Sequence, residues 1–251
     1  MTATIPIQES DLEFENGTFD SAAFTAKTLT GWQSLAAVID HALLQPGATR
    51  QQVENLCAEA ARYRCASVVV NPVWTAAAVS LLAGSGVPVG AVIGFPFGAS
   101  LVSTLRQEAA ALIRLGAREL DMVLPIGQLK SGNHHAVHHS IHAVATLAHH
   151  HGILLKVTLE TSLLTMEEKL RAAEVAIQAG AGFLKTSTGF AQGGATATDV
   201  ALLRGVAGAR CGVQASGGIC SLADVRAMLE AGANRIGSSA SVAILRELGA
   251  E

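Results

Sequence analysis

The stretch Ala181-Gly-Phe-Leu-Lys185-Thr-Ser-Thr-Gly189-Phe190 brings a lysine to the end of an apolar, strand-like run and then opens into a Ser/Thr/Gly loop. An ammonium in such a place is costly as packing and useful as chemistry, because a desolvated amine can act as a nucleophile at neutral pH. The chain has five lysines against twelve arginines, and two of the five, Lys156 and Lys185, fall in apolar runs. A third run, Glu119–Leu124, carries Asp121. A free lysine has a pKa of ~10.4, so about one amine in several thousand is neutral at pH 7. Burial and a second cation nearby raise that fraction. A neutral amine adds to an aldehyde to give a carbinolamine, and loss of water leaves an iminium that serves as an electron sink. A C–C bond then breaks or forms through an enamine, with a carboxylate such as Asp121 moving protons. Lys185, Asp121 and Lys156 are the candidate catalytic residues.

These residues need a scaffold that brings distant strands to one place. Apolar strand-like segments recur at Val38–His41, Ser67–Asn71, Val87–Ile93, Glu119–Leu124, Leu154–Leu159, Phe183–Ser187, Gly212–Ser216 and Arg235–Gly237. Ala-rich segments of helical period lie between them, at Arg50–Tyr63, Thr104–Leu115, His135–His149, Glu167–Ala179, Ala197–Val206 and Leu222–Glu230. Thr49 with Gln52, and Thr165 with Glu168, have capping-box spacing. Gly116, Gly180 and Gly232 each follow a helical segment, as a left-handed C-cap would. Continuously apolar strands alternating with helices argue a parallel sheet covered by helices. Eight such units favour a (β/α)8 barrel. A doubly wound sheet would want a Gly-x-Gly-x-x-Gly after the first strand, and Asp40-His41-Ala-Leu-Leu has none. Residues 1–35 are expected to form an acidic, solvated N-terminal arm to about residue 20, then one short covering helix over Ser21–Ala37 that buries Trp32 and Leu35. The barrel domain is expected over 36–251.

In a barrel the C-terminal strand ends face the mouth. They offer Asp40, His41, Asn71, Asp121, the one-faced set Lys156, Thr158 and Glu160, then Lys185, Gln214, Ser216, Ser238 and Ser239. Ser216-Gly217-Gly218 and Gly237-Ser238-Ser239 could hold an anion on backbone N–H groups, although Gly-rich turns also arise for steric reasons alone.

Composition excludes several classes. Formal net charge is -3, so there is no basic footprint for nucleic acid. Gly or a charge interrupts every apolar run before a bilayer is spanned, and the N-terminus lacks the form of a signal peptide. Cys57, Cys65, Cys211 and Cys220 contain no Cys-x-x-Cys pair, which fits free thiols in a reducing cytoplasm. His134, His135, His138, His139 and His142 have helical spacing, and His149–His151 follow. Pairs four apart could bind zinc. The segment lies between strands, away from the lysines, so a solvated polar face is expected and no metal. Cys220 is either a reactive thiol or a space-filler beside the anion loop, and Phe95-Pro96-Phe97 is expected to shape the pocket wall.

The motifs Ile39-Asp-His-Ala-Leu-Leu, Val70-Asn-Pro, Ile93-Gly-Phe-Pro-Phe-Gly-Ala, Glu119-Leu-Asp-Met-Val and Ile126-Gly-Gln-Leu-Lys-Ser-Gly132 resemble those of the deoxyribose-phosphate aldolase family. So do Lys156-Val-Thr-Leu-Glu-Thr, Leu184-Lys-Thr-Ser-Thr-Gly-Phe190, Gly193-Gly-Ala-Thr, Ala215-Ser-Gly-Gly-Ile and Arg235-Ile-Gly-Ser-Ser. The resemblance runs from about residue 36 to the C-terminus in order and spacing. It implies a (β/α)8 barrel and a cofactor-free class I aldolase that cleaves 2-deoxy-D-ribose 5-phosphate reversibly to acetaldehyde and glyceraldehyde 3-phosphate. Lys185 would be the Schiff-base lysine and Asp121 the proton-relay acid. Substrate contacts would fall on Asp40, Gln214, Thr188, Gly189, Ser216, Gly217, Gly218, Gly237, Ser238 and Ser239. The family's assembly implies monomers or homodimers.

The departures cluster at the mouth. The family's Lys-Ala-Ser-Gly-Gly-Ile-Arg is Gln214-Ala-Ser-Gly-Gly-Ile-Cys220, its Asp-His-Thr-Leu-Leu-Lys-Pro is Asp40-His-Ala42-Leu-Leu-Gln45-Pro, and its Gly-Thr-Ser-Ser-Gly is Gly237-Ser-Ser239-Ala240-Ser241. Glutamine hydrogen-bonds but carries no charge, so the second active-site cation is missing. With Lys185 and Asp121 kept, these changes point to a divergent Schiff-base lyase acting on an altered, non-phosphorylated aldehyde or ketone. The alternatives are an ordinary deoxyribose-phosphate aldolase and a non-catalytic binding barrel.

Overall fold

The computed structural model describes residues 14–15 and 18–251. Eight parallel strands close into a barrel: β1 Ile39–Leu43, β2 Ser67–Val70, β3 Val89–Ile93, β4 Glu119–Val123, β5 Leu154–Thr158, β6 Phe183–Lys185, β7 Gly212–Ser216 and β8 Arg235–Ser238. Each pairs with its sequence neighbours, and β8 closes onto β1 through Ile236↔Ile39 and Gly237↔Asp40. The expected eight-stranded (β/α)8 barrel is the observed one.

Local sequence accounts for the rhythm. Thr49 and Thr165 each accept a hydrogen bond from the backbone N–H three residues on, and Gln52 and Glu168 return it, so both capping boxes form. Gly116, Gly180 and Gly232 have φ of 102°, 104° and 109°, a region that side-chain-bearing residues avoid, and each turns its chain from helix to strand. Between strands and helices lies a shell of Leu, Ile, Val and Ala, with Ile39, Leu105, Leu120, Ile141 and Leu155 among its fully buried members.

Three segments differ from expectation. Ser21–Ala37 is two helices, Ser21–Thr28 and Trp32–Ala36, because Gly31 is extended (φ −176°, ψ 164°) and breaks the run. Asp20 caps the first, accepting from Ala23 N at 2.9 Å. Leu35 is buried as expected, whereas Trp32 is half-buried, edge-on to Tyr63. The solvated arm does not extend to residue 20: Thr18–Phe19 pairs antiparallel with Phe14–Glu15, and Phe19 is buried against Phe24 beneath the Arg204 guanidinium. The rest of that arm lies outside the described residues. Helices at Thr75–Leu81, Ile126–Lys130 and Ser241–Glu247 were not expected; at seven, five and seven residues they are too short to show a helical period.

No described helix is long and apolar enough to cross a membrane. On the helix His134–His150 the side chains of His135, His139, His142 and His150 are exposed, a solvated face. Among the described residues no three His, Cys, Asp or Glu side chains converge as metal ligands.

Candidate active site

Strands β4, β5 and β6 lie side by side, in register at Asp121↔Lys156 and Thr158↔Lys185. Their inward side chains form the centre of the site. The Lys185 ammonium donates to Asp121 Oδ2, and Thr158 Oγ1 donates to Asp121 Oδ1 at 2.7 Å. Lys185 and Asp121 are each 3% exposed, so the pair is desolvated, yet Lys185 ends a strand that opens on the mouth and Asp121 lies one layer below it. The ammonium has no other hydrogen-bond partner among the described residues. An amine held this way, with a carboxylate to take its proton, is equipped for addition to a carbonyl.

Beneath lies a charged layer where barrels are usually filled with apolar side chains. Asp40 Oδ1 accepts from Ser67 Oγ at 2.7 Å and Arg235 Nε at 2.6 Å, and Oδ2 accepts from Lys156 Nζ at 2.5 Å and Gln214 Nε2 at 2.7 Å. Glu119 completes the layer, with Oε2 2.8 Å from Lys156 Nζ and Oε1 accepting from Arg235 Nη2 at 3.0 Å. Two carboxylates meet two cations, so the layer is neutral. Burial alone would raise the Asp40 pKa. The Arg235 and Lys156 charges, with hydrogen bonds from Lys156 and Ser67, more than offset that and hold the carboxyl well below the carboxylate range. Burial alone would likewise lower the Arg235 pKa, and Asp40 and Glu119 raise it.

The expected site residues therefore divide. Lys185 and Asp121 touch. Lys156 is held by Asp40 and Glu119, and the four donors on Asp40 leave it no free lone pair for a ligand, so both belong to the supporting layer. Gln214 joins that layer through its amide nitrogen. Gly237 makes room for it, since a Cβ there would lie 2.8 Å from Gln214 Nε2 and from Ser216 Oγ.

The remaining residues gather in two touching loops. Thr188 is buried and donates through N and Oγ1 to Glu160, a residue of positive φ (57°). Gly189 follows, exposed, and the chain returns at Gly194, where a Cβ would lie 2.4 Å from the Gly217 carbonyl oxygen. Ala195 N donates to that oxygen at 3.0 Å. Ser216 is fixed by Thr186, whose Oγ1 donates to its carbonyl and accepts from its N–H, both at 3.0 Å. Ser238 Oγ reaches Ile219 O at 2.8 Å, which ties the β8 end to the same loop, and Ser239 is exposed beside it. Consecutive left-handed Gly217 and Gly218 (φ 94° and 75°) in this cluster are of the kind that turns backbone N–H groups toward an anion. Cys220 is exposed and fills no buried space.

Sequence reasoning missed Arg235 and Glu119, each at the first position of its strand. It also missed most of the rim: Val73, Leu101, Leu163, Met166 and Phe190 are exposed and follow the C-terminal ends of β2, β3, β5 and β6, beside the exposed Phe97 of the expected wall Phe95-Pro96-Phe97. Phe95 packs edge-on against Phe190, with centroids 5.2 Å apart, and joins two of these loops into one wall.

Comparison with known proteins agrees with this geometry. The model of the DeoC/LacD family aldolases matches residues 34–248. The chain is 50% identical over 216 residues to a deoxyribose-phosphate aldolase of Lysinibacillus sphaericus, covering 86% of this chain and 96% of the relative. It is 51% identical over 214 residues to that of Halalkalibacterium halodurans, covering 85% and 95%. Among solved structures, the tetrameric deoxyribose phosphate aldolase of Aeropyrum pernix superposes with a TM-score of 0.84 at 34% identity, covering 91% of this chain and 96% of that one. Taken with the lysine–carboxylate pair at the barrel mouth, these matches place the chain in the DeoC/LacD aldolase family, whose deoxyribose-phosphate aldolases are class I carbon–carbon lyases.

Proposed function

We propose that the protein is a Schiff-base aldolase that cleaves and forms 2-deoxy-D-ribose 5-phosphate, with Lys185 as nucleophile and Asp121 as proton carrier. The observation that carries this reading is the buried bond from Lys185, at the mouth end of β6, to Asp121 on β4 across the intervening β5. This substrate is supported by deoxyribose-phosphate aldolases half-identical over nearly their full length, and by the Gly217–Gly218 loop, which suits a phosphate.

The steps balance on these groups. Asp121 takes a proton from Lys185, and the freed amine adds to the substrate aldehyde. Asp121 returns the proton as the carbinolamine loses water to the iminium. The β-hydroxyl then gives its proton to Asp121 through a water, the Cα–Cβ bond breaks, and its electron pair flows to the iminium nitrogen, which releases the new aldehyde and leaves an enamine. Protonation of the enamine at carbon and hydrolysis release acetaldehyde and free Lys185.

A second reading has its own observation. Gln214, in register with Lys185, is uncharged, so this site lacks the strand-7 cation that the resemblance implies. That favours a family member acting on a non-phosphorylated aldehyde or ketone. Turnover of 2-deoxyribose 5-phosphate decides between them. A rate near that of Gln214→Lys supports the first reading, and loss of turnover with retained cleavage of non-phosphorylated 3-hydroxy aldehydes supports the second.

A further inference from the structure

Gln214 Nε2 donates to Asp40 Oδ2, and Asp40 is an acceptor saturated by four donors. A carboxylate in that state can face only the amide nitrogen, which fixes the orientation of the amide. Its other atom, Oε1, is buried and has no hydrogen-bond partner. An unmet buried carbonyl is costly, and such atoms are retained where something else supplies the donor. Gln214 is 1% exposed and sits on β7 in register with Lys185 on β6, so the two side chains enter the interior next to one another, on strands about 4.8 Å apart.

We propose that Gln214 Oε1 is a specificity-determining acceptor that takes a hydrogen bond from the β-hydroxyl of a carbonyl compound bound as an iminium on Lys185. This rests on the Schiff-base reading above. Where the resemblance implies an ammonium, which only donates, this chain presents an acceptor, so the ligand atom it selects is a donor. A hydroxyl on the third carbon of an aldehyde joined to Lys185 Nζ is four bonds from that nitrogen and reaches across to the neighbouring strand. A simple alkanal has no donor there and leaves Oε1 unmet. The O–H rests on the amide oxygen while the iminium forms, then turns about its C–O bond to the water that carries its proton to Asp121.

The test compares borohydride trapping on Lys185 by 3-hydroxybutanal and by butanal, across a concentration series, read by mass spectrometry of the intact protein and its peptides. For the hydroxylated aldehyde, both the hydroxybutyl adduct and the ethyl adduct left by cleavage are counted. The wild-type protein is expected to be half-trapped at a concentration of 3-hydroxybutanal about tenfold below that of butanal, the factor one hydrogen bond to a buried acceptor supplies. In Gln214→Met and Gln214→Leu, neither of which offers an amide oxygen, the ratio of the two half-trapping concentrations should fall to about one, a ratio in which any general change in Lys185 reactivity cancels. A residue acting only as packing would change both aldehydes together. Equal trapping in the wild type, or an undiminished preference in a folded variant, overturns the proposal. If neither aldehyde traps Lys185, the Schiff-base reading itself falls and takes the proposal with it; if both trap equally, only the proposal falls.

Discussion

Lys185 on β6 reaches over β5 to bond Asp121 on β4, and Thr158 on the intervening strand holds the second oxygen of the same carboxylate. The three residues come from three consecutive strands, and Thr158 and Lys185 are paired in register. Asp121 is thereby aimed at the amine from below and the side, and its orientation depends on a hydroxyl that needs no contact with substrate. Thr158→Val keeps the shape and removes the donor. Steady-state kinetics should show kcat lowered about tenfold with KM little changed, the loss expected for one hydrogen bond that matters in the transition state.

The charged layer beneath this pair governs stability. Arg235 serves Asp40 and Glu119 together, so Arg235→Met leaves two buried carboxylates each short of a donor. Breaking a buried pair in this way costs about 3–5 kcal/mol, visible as a lower urea midpoint. Arg50→Met, which removes an exposed pair with Glu54, should leave the midpoint unmoved.

Asp40 also sets an acid limit. Its pKa is lowered in the folded protein from an ordinary value of 3.8, so in that range the unfolded chain binds the proton more readily, and stability rises with pH. The contribution is complete above about pH 4 and is lost as pH falls below that toward the folded-state value. Urea midpoints measured between pH 6 and pH 2.5 should fall below pH 4, and Asp40→Asn should be less stable at pH 6 with a flatter acid limb.

How much of this was legible depends on what each residue's neighbours in sequence reveal. Strands β1 to β8 follow from apolar runs, and Lys185 and Asp121 stand out because a charge inside such a run has no cheap explanation. Arg235 gives no such signal, since an arginine at the first position of a strand resembles an ordinary solvent-edge residue. It meets Asp40, 195 positions away, only because the barrel closes β8 onto β1. Gln214 was visible as a departure from a pattern, but not that its nitrogen is spent on Asp40. The Gly31 break was hidden because the flanking residues keep a helical period on both sides.

The loop contact at Gly194 yields a fourth prediction. A Cβ there would lie 2.4 Å from the Gly217 carbonyl, and backbone cannot yield as a flexible side chain can. Gly194→Ala should displace the Gly217–Gly218 loop and raise KM for 2-deoxyribose 5-phosphate about tenfold or more, as loss of one or two hydrogen bonds to a phosphate would. Trapping of acetaldehyde on Lys185, which needs no phosphate, should be unaffected.

Thiol reactivity separates the four cysteines. Burial pushes Cys57 up to about 11 and Cys65 and Cys211 up to about 12, whereas Cys220 is exposed. A chromogenic disulfide reagent at pH 8 should titrate one thiol in the native protein, lost in Cys220→Ser, and four after denaturation.

The central claim is that Lys185 forms the covalent intermediate. Incubation with acetaldehyde and borohydride, followed by peptide mass spectrometry, should place one ethyl adduct on Lys185 and none on Lys156, whose amine is held between Asp40 and Glu119. Asp121→Asn should slow its formation. An adduct on Lys156 in preference to Lys185, or no adduct on either lysine, would contradict the account.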